Sequence, residues 1–362
     1  MKGFRKEKML ASVTARLVML VAAGLLLLSY LSVVVNPARA WLMSLFGLLF
    51  VPIALLNLLL LLWGLARKSS SFLIPLLALL PSVVYLGRYF QFSSGAEERA
   101  DGCTRILTWN VGNFSMGRGA EAWSLAEREA RLDSVKAILK ANDPDIVCFQ
   151  EMRIPGGKAV GDFLKENFPS YEASYFVNVL SDGSYGNVML SRYPIVAKGR
   201  IDFEGSSNLA VYADLQIGDT KARIYNCHFE SYSISLPRLV KSLGRDSTIV
   251  RETEHKMKRS IVRRPRQVQQ VLSDIENCPV EAIVTGDFND TPMSYTYRRL
   301  MKGRDDSFVK AGKGFGATYT VLWPLIRIDY VLYPSHYGAV SSRVIRKKFS
   351  DHYPVVAELN IR

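Results

Sequence analysis

Ala282-Ile283-Val284-Thr285-Gly286-Asp287-Phe288-Asn289 is the stretch on which the reading of this chain turns. A short β-prone apolar run stops at a glycine and then delivers a carboxylate and a carboxamide within three positions. Taken alone, Asp and Asn after Gly could be chosen for turn geometry only. The pattern recurs, however. Arg105–Asn110 (RILTWN) ends in Asn110, Ile146–Phe149 (IVCF) runs into Gln150-Glu151, and Arg223–Cys227 runs into His228. Asp329 lies in the strand-like run Ile328–Tyr333 (IDYVLY), and Ser350-Asp351-His352-Tyr353-Pro354 precedes the run Val355–Leu359. Polar side chains gathered at strand ends mark the sheet edge where binding sites form.

Further strands are expected at Asn187–Leu190 and Ala210–Gln216. Helical spacing of Leu132, Val135, Ile138 and Leu139 predicts a helix over Glu127–Leu139, and Arg266–Ile275 predicts another before the GDFN run. Strands mixed with helices, several at hairpin spacing, predict an α/β layered domain built on large sheets.

The 362 residues divide near position 100. Upstream, three apolar segments (17–35, 40–66 and 71–89) are expected to cross a bilayer, since about 20 apolar residues span its hydrocarbon core. The third contains Pro75 and Pro81. The first exceeds the roughly 7–15 apolar residues of a signal peptide and is followed by two more, so it is read as an anchor. Residues 1–91 are thus a membrane anchor, 92–102 a polar linker and 103–362 the catalytic domain. Lys2, Arg5, Lys6, Lys8 and Arg16 flank the first segment, and Arg67 and Lys68 lie between the second and third. The positive-inside rule makes both flanks cytoplasmic, and three crossings of an inner or plasma membrane then place the domain on the extracytoplasmic side.

The net charge of +13 is unevenly spread. Residues 1–100 hold 10 Lys/Arg and 3 Asp/Glu, and residues 238–266 hold the same numbers, leaving the rest of the catalytic region near neutral. Basicity is therefore a membrane flank plus one segment, and does not by itself argue for nucleic acid. The segment 238–266 is open to three readings: a solvated helix face, contact with anionic lipid, or contact with nucleic-acid phosphates. Cys103, Cys148, Cys227 and Cys278 lack metal-type spacing and are read as structural.

Glu151, Asp287, Asp329 and Asp351, with Asn110 and Asn289, are hard oxygen donors that suit Mg²⁺ or Mn²⁺. A hard divalent cation neutralises charge on a phosphate ester and generates an attacking hydroxide. His228 and His352 add groups that titrate near neutrality.

In order, LTWNV, CFQEM, YGNVMLSRYPI, YNCHFES, VTGDFND, RIDYVL and SDHYPV are similar to the blocks of the endonuclease/exonuclease/phosphatase superfamily of deoxyribonuclease I-like fold. The chain resembles a membrane-anchored, bacterial-type member over roughly residues 103–362. The resemblance implies a four-layer sandwich, two packed β-sheets flanked by helices, and metal-dependent attack of water on phosphorus. It implies metal ligation by Glu151, with Asn110 and Asp351 in the same cluster. Asp287 would orient or deprotonate the water, and Asn289 would hold a phosphate oxygen. His228 would donate to the phosphate. His352, paired with Asp351, would act as base or phosphate contact, and Asp329 would orient it or assist the metal site. Tyr185 and Asn187 fall where the family places substrate contacts, although strand packing and a turn after Gly183 explain them equally well. The resemblance leaves the substrate open among a lipid head group, a small phosphoester and nucleic acid. A non-enzymatic membrane scaffold is disfavoured because every block keeps its chemically competent residue.

Overall fold

The computed structural model describes residues 2–92, 99–112, 124–156, 158–180, 183–232 and 247–361. Its strands are β1 (Phe90–Gln91), β2 (Thr104–Asn110), β3 (Ile146–Pro155), β4 (Glu172–Leu180), β5 (Gly183–Ser191), β6 (Ile195–Asp202), β7 (Leu209–Ile217), β8 (Thr220–His228), β9 (Glu281–Asp287), β10 (Arg304–Asp306), β11 (Gly314–Phe315), β12 (Asp329–Pro334), β13 (Gly338–Val344) and β14 (Val355–Asn360). Two six-stranded sheets result, ordered β13-β14-β2-β3-β5-β4 and β10-β12-β9-β8-β7-β6. Each contains one parallel pair, β2/β3 and β8/β9, among antiparallel neighbours.

Three apolar clusters define four layers. Ile106, Cys148, Met189, Ile224, Ile283, Val331 and Ala357 fill the space between the sheets. Helices Leu125–Asn142 and Val160–Asn167 cover the outside of the first sheet through Val135, Ile138, Phe163 and Leu164. Helices Ser247–Glu276 and Tyr295–Leu300 cover the second through Val268, Val271, Leu272 and Tyr297. The alternation of inward and outward side chains, which sends successive residues of each strand to opposite faces, supplies both apolar faces from one strand set. Cys148 and Cys227 are fully buried free thiols within these clusters.

Two predicted boundaries move. The strand expected to end at Gln150-Glu151 continues to Pro155, with its register broken between Phe149 and Met152. Glu151 has φ +54° there, so the bulge turns this one side chain while the strand goes on. The helix expected over Arg266–Ile275 begins at Ser247 and runs through Pro265. Ile261, Arg264, Gln267 and Val268 are buried on either side of the proline, so packing holds the two halves as one continuous helix.

The N-terminal unit differs from three plain crossings. Helix Lys2–Leu31 contains a span, Ser12–Leu31, long and apolar enough to cross a membrane. The second segment is a pair, Leu42–Leu48 and Phe50–Ala66, bent by 64°. The third is a short 3₁₀ turn at Ser70–Phe72 followed by Leu73–Leu79 and Ser82–Leu86, broken where Pro81 can supply no N–H. These helices share a core of Ala23, Leu26, Phe50, Ile53 and Ala78 that also includes Met293 of the two-sheet unit. Ser32 Oγ donates to Met293 O at 2.7 Å, Arg88 Nη1 to Pro292 O at 2.9 Å, and Thr291 Oγ1 to Gly47 O at 3.3 Å. The residues 92–102 expected to form a tether lie partly outside the described residues, but β1 just before them pairs with β11. The unit is thus docked on the loop that follows β9.

Gly286 is the tightest point of that strand. Its φ is +123°, and a Cβ there would lie 2.0 Å from the carbonyl oxygen of Cys227 on β8. Gly286→Ala is expected to cost about 3 kcal/mol or more, as backbone overlap in a closed core does. A lower unfolding temperature, or loss of folded protein, checks this; a wild-type melting curve would contradict it.

Candidate active site

Register brings the predicted residues to one edge. In the second sheet, His228 and Asp329 both pair with Asp287, one in parallel and one in antiparallel fashion. In the first sheet, Asn110 sits opposite Gln150, one position before Glu151. The two edges meet at Asn110, whose Nδ2 donates to Glu151 Oε1 at 3.2 Å and to Asp287 Oδ2 at 3.0 Å.

Asp287 is the centre. Its Oδ1 accepts the backbone N–H of Asn289 at 2.8 Å, and its Oδ2 accepts from Asn289 Nδ2 at 3.1 Å. His228 Nε2 and His352 Nε2 lie 3.7 and 3.8 Å from the same Oδ2. Asn289 has φ +50°, so two site residues, Glu151 and Asn289, are non-glycines held in the left-handed region, where strain is usually tied to function.

His352 is held by Asp329 and not by its sequence neighbour Asp351: Nδ1 lies 3.0 and 3.2 Å from the two Asp329 oxygens. Two groups that the sequence reading gave no role fix this pair. Thr318 Oγ1 accepts the N–H groups of Ile328 and Asp329, and Ser350 Oγ donates to Asn110 O and His352 O. Thr318 carries no sequence signal, and Ser350, although part of SDHYP, acquires this role only through the fold.

Charge balance separates two halves of the site. Asp287, Asp329 and His352 present ligand-type atoms within 4.8 Å of one another, all buried. Burial works against a charged His352, but Asp329 and Asp287 outweigh it and raise its pKa well above the ordinary value. Burial, reinforced by Asp329, pushes Asp287 up to about 6. His228 is lowered, chiefly by burial. On the other side, desolvation raises Glu151 against the lowering effect of the Asn110 hydrogen bond, and Asp351 adds a smaller repulsion. Asp287 and Asp329 share the one positive charge of His352, whereas Glu151 and Asp351 have no Lys or Arg partner among the described residues and concentrate negative charge on this other side.

A hard divalent cation fits that half. Glu151 keeps 26% of its side chain exposed and has no Lys or Arg partner among the described residues, while buried His228 Nε2 beside it, 3.5 Å away, has no hydrogen-bond partner among them. Carboxylate oxygens at an open position are the ligands such ions take. Asn110 Oδ1 accepts from Gly112 N at 2.9 Å; for this amide to ligate, it would have to rotate and exchange its oxygen and nitrogen.

Tyr185 faces Glu151, and its pKa is raised, chiefly by burial. Asn187 is placed differently, in the inter-sheet space, donating to Leu209 O and Asn226 O at 3.2 Å each. It belongs to a polar tie in which Gln150 Nε2 reaches Asn226 Oδ1 at 2.7 Å. Asp290, next to Asn289, meets buried Arg264 at 2.9 Å.

Comparison with known proteins agrees with this architecture. Residues 11–89 match a Domain of unknown function (DUF8431). The Uncharacterized protein YbhP of Escherichia coli (strain K12) is 23% identical over 278 residues, covering 71% of this chain and 98% of that protein. An endonuclease/exonuclease/phosphatase from Beutenbergia cavernae DSM 12333 superposes with a TM-score of 0.51 at 18% identity over 71% of each chain. A functionally unknown conserved protein from Enterococcus faecalis V583 gives 0.52 at 15% identity, over 71% of this chain and 99% of its own. These likenesses concern the fold. The family model described as Endonuclease/Exonuclease/phosphatase family matches residues 107–352, a span that runs from β2 to His352 and encloses Asn110, Glu151, His228, Asp287, Asp329 and His352, and the chain belongs to that family.

Proposed function

We propose that this protein is a membrane-anchored, Mg²⁺- or Mn²⁺-dependent hydrolase of phosphoester bonds, acting on a lipid head group or small phosphoester at the bilayer surface. The observation that carries the reading is the junction at Asn110, where an uncompensated carboxylate from one sheet meets the Asp287–His352–Asp329 group of the other. Family membership supports phosphoester hydrolysis as the reaction class.

Glu151, with Asp351 and a rotated Asn110, would hold the cation. When bound, it would neutralise charge on the phosphoryl oxygens and make an attacking water more acidic. The protein's own groups divide the remaining work. Asp287, poised near pH 6, is suited to orient the water and take its proton. His352, kept protonated by Asp329, donates to a phosphate oxygen as charge builds there. His228, neutral and with a free Nε2, offers a second contact, and the Asn289 side chain would hold a phosphate oxygen. Tyr185 limits water at Glu151.

Membrane attachment rests on the N-terminal unit. Leu17, Val21, Leu59, Leu77 and Val84 are each more than half exposed, a belt of apolar surface that water does not tolerate at this size. In this reading the charged flanks and the three apolar segments leave the catalytic domain extracytoplasmic. A reporter fused to the C-terminus should be active outside the cytoplasm; activity confined to the cytoplasm would remove the third crossing.

The test is purified full-length protein with Mg²⁺ or Mn²⁺ against phospholipids, small phosphomonoesters and phosphodiesters, and plasmid DNA. Release of a phosphorylated head group or of inorganic phosphate, abolished by EDTA and restored by metal, is expected. Metal-dependent DNA cleavage alone would replace this reading with a membrane-tethered nuclease, and EDTA-insensitive activity would overturn the metal site.

A further inference from the structure

The basic half of helix Ser247–Glu276 is left over by the reaction, and its position is informative. Strands β8 and β9 are parallel, so the helix connecting them runs antiparallel to both and begins at the edge where His228 and Asp287 end. Its 30 residues extend about 45 Å at ~1.5 Å per residue, whereas nine-residue β8 covers about 30 Å at ~3.3 Å per residue. Contacts show where the surplus lies. Gln267 Oε1 accepts from Glu230 N, Arg264 Nε donates to Glu230 O, and Ser260 Oγ donates to Ser231 O. Residues 260–267 are therefore level with the chain just past His228. The turns before Ser260 overhang the active-site edge by up to about 20 Å.

That overhang is basic and unpaired. Lys256, Lys258 and Arg259 are exposed and have no ion-pair partner among the described residues, whereas Arg263 pairs with Glu230. They line a shallow cavity of about 500 Å³ with His255, Val262 and Arg263. Glu252 and Glu254 sit further toward the N-terminus, and the described part of segment 238–266 remains net positive. The apolar N-terminal unit docks at this same edge, through Thr291, Pro292 and Met293 just past β9, and Arg264 of the basic helix pairs with Asp290 immediately before them. One edge of the second sheet thus carries the active site, the apolar unit and the basic overhang.

We infer that the face formed by Lys256, Lys258 and Arg259 docks on the anionic phosphate head groups of the bilayer that holds the apolar unit, so that the active site opens toward the lipid surface. This rests on the membrane reading above, not on the hydrolytic one. An extended polyanion such as nucleic acid would meet the same charges, but the shared edge with the apolar unit favours lipid, because tethering keeps head groups at high local concentration.

The experiment is lysine acetylation footprinting of the full-length protein in lipid nanodiscs of phosphatidylcholine, alone or with about one-third phosphatidylglycerol. Lys256 and Lys258 are expected to be protected several-fold in the anionic discs only, and Lys221, exposed at the opposite end of β8, to be labelled equally in both. Protection should disappear in high salt. It should also weaken in the R251Q/R259Q variant, which keeps both reporting lysines, by about five-fold per charge removed. Equal labelling of Lys256 and Lys258 in the two discs overturns the inference. So does protection by an added DNA oligonucleotide in neutral discs without protection by anionic lipid. Failure of the protein to float with neutral phosphatidylcholine vesicles would overturn the membrane reading itself, and the inference with it. No outcome depends on hydrolytic activity.

Discussion

Glu151→Gln is expected to keep its fold and lose about 10³-fold in kcat with Mg²⁺, roughly 4 kcal/mol of transition-state stabilisation. The side chain sits on a β-bulge with φ +54°, a backbone position that Gln occupies as readily as Glu. Its neighbours do not depend on its charge: Asn110 Nδ2 can donate to an amide oxygen as well as to a carboxylate. Desolvation and Asp351 already raise the Glu151 pKa, so removing this charge relieves a repulsion in the metal-free protein. The unfolding temperature in EDTA should therefore hold or rise slightly, while the stabilisation gained on adding Mg²⁺ shrinks. Loss of activity with an intact melt and a weakened metal response separates a ligand from a structural residue. Activity within ten-fold of wild type would remove Glu151 from the centre of the site.

The placement of Glu151 also shows how far the sequence could be read. That Gln150-Glu151 follows an apolar strand was legible from IVCF; that the strand continues through a bulge was not. A bulge is set by the partner strand β5, and nothing in CFQEM announces it. The central strands of both sheets were legible because they are largely buried on both faces and carry short β-prone runs rich in apolar residues. The edge strands β4, β6 and β13 were not, because one face meets solvent and residues such as Lys198, Arg200 and Ser341 dilute the pattern.

Pairing across the site was less legible than membership in it. Asp351 adjoins His352 in sequence, yet successive residues near a strand point to opposite sides. The imidazole therefore turns to Asp329, 23 residues away, which β12 carries to the same edge as Asp287. Asn187 fell in the right block but points between the sheets, where its amide satisfies buried carbonyls. The helix before GDFN was visible only over its apolar half. Its first half is charged and Pro265 argues for a break, and only burial of Arg264 against Asp290 and Glu230 reveals one continuous element.

The Asp329–His352 pair carries the second large effect. Asp329→Asn should preserve the hydrogen bonds from Thr318, which are made by the Asp329 backbone N–H, while removing the charge that offsets burial of His352. In the wild type the folded-state pKa of His352 lies well above its ordinary value, with Asp329 and Asp287 outweighing desolvation. A group raised in this way contributes stability fully present below about pH 6.5 and lost as pH rises through its higher folded-state value. Without Asp329 that contribution is lost, and breaking one side of a buried pair costs about 3–5 kcal/mol. The melt at pH 5.5, where the wild type holds the whole contribution, should fall by more than the melt at pH 7.5, where the wild type has already lost part of it. Catalysis should show the opposite pH trend, because it needs the charged imidazole itself. If His352 donates a proton-bearing contact to the phosphate, the alkaline limb of kcat moves down toward neutral pH in Asp329→Asn, with a loss of about 10²–10³-fold at pH 8 and a smaller one at pH 6. A pH–kcat profile measured with saturating Mg²⁺ reads this directly. A uniform loss at all pH values, with the alkaline limb unmoved, would mean that Asp329 acts on the geometry of the site and not on the charge of His352.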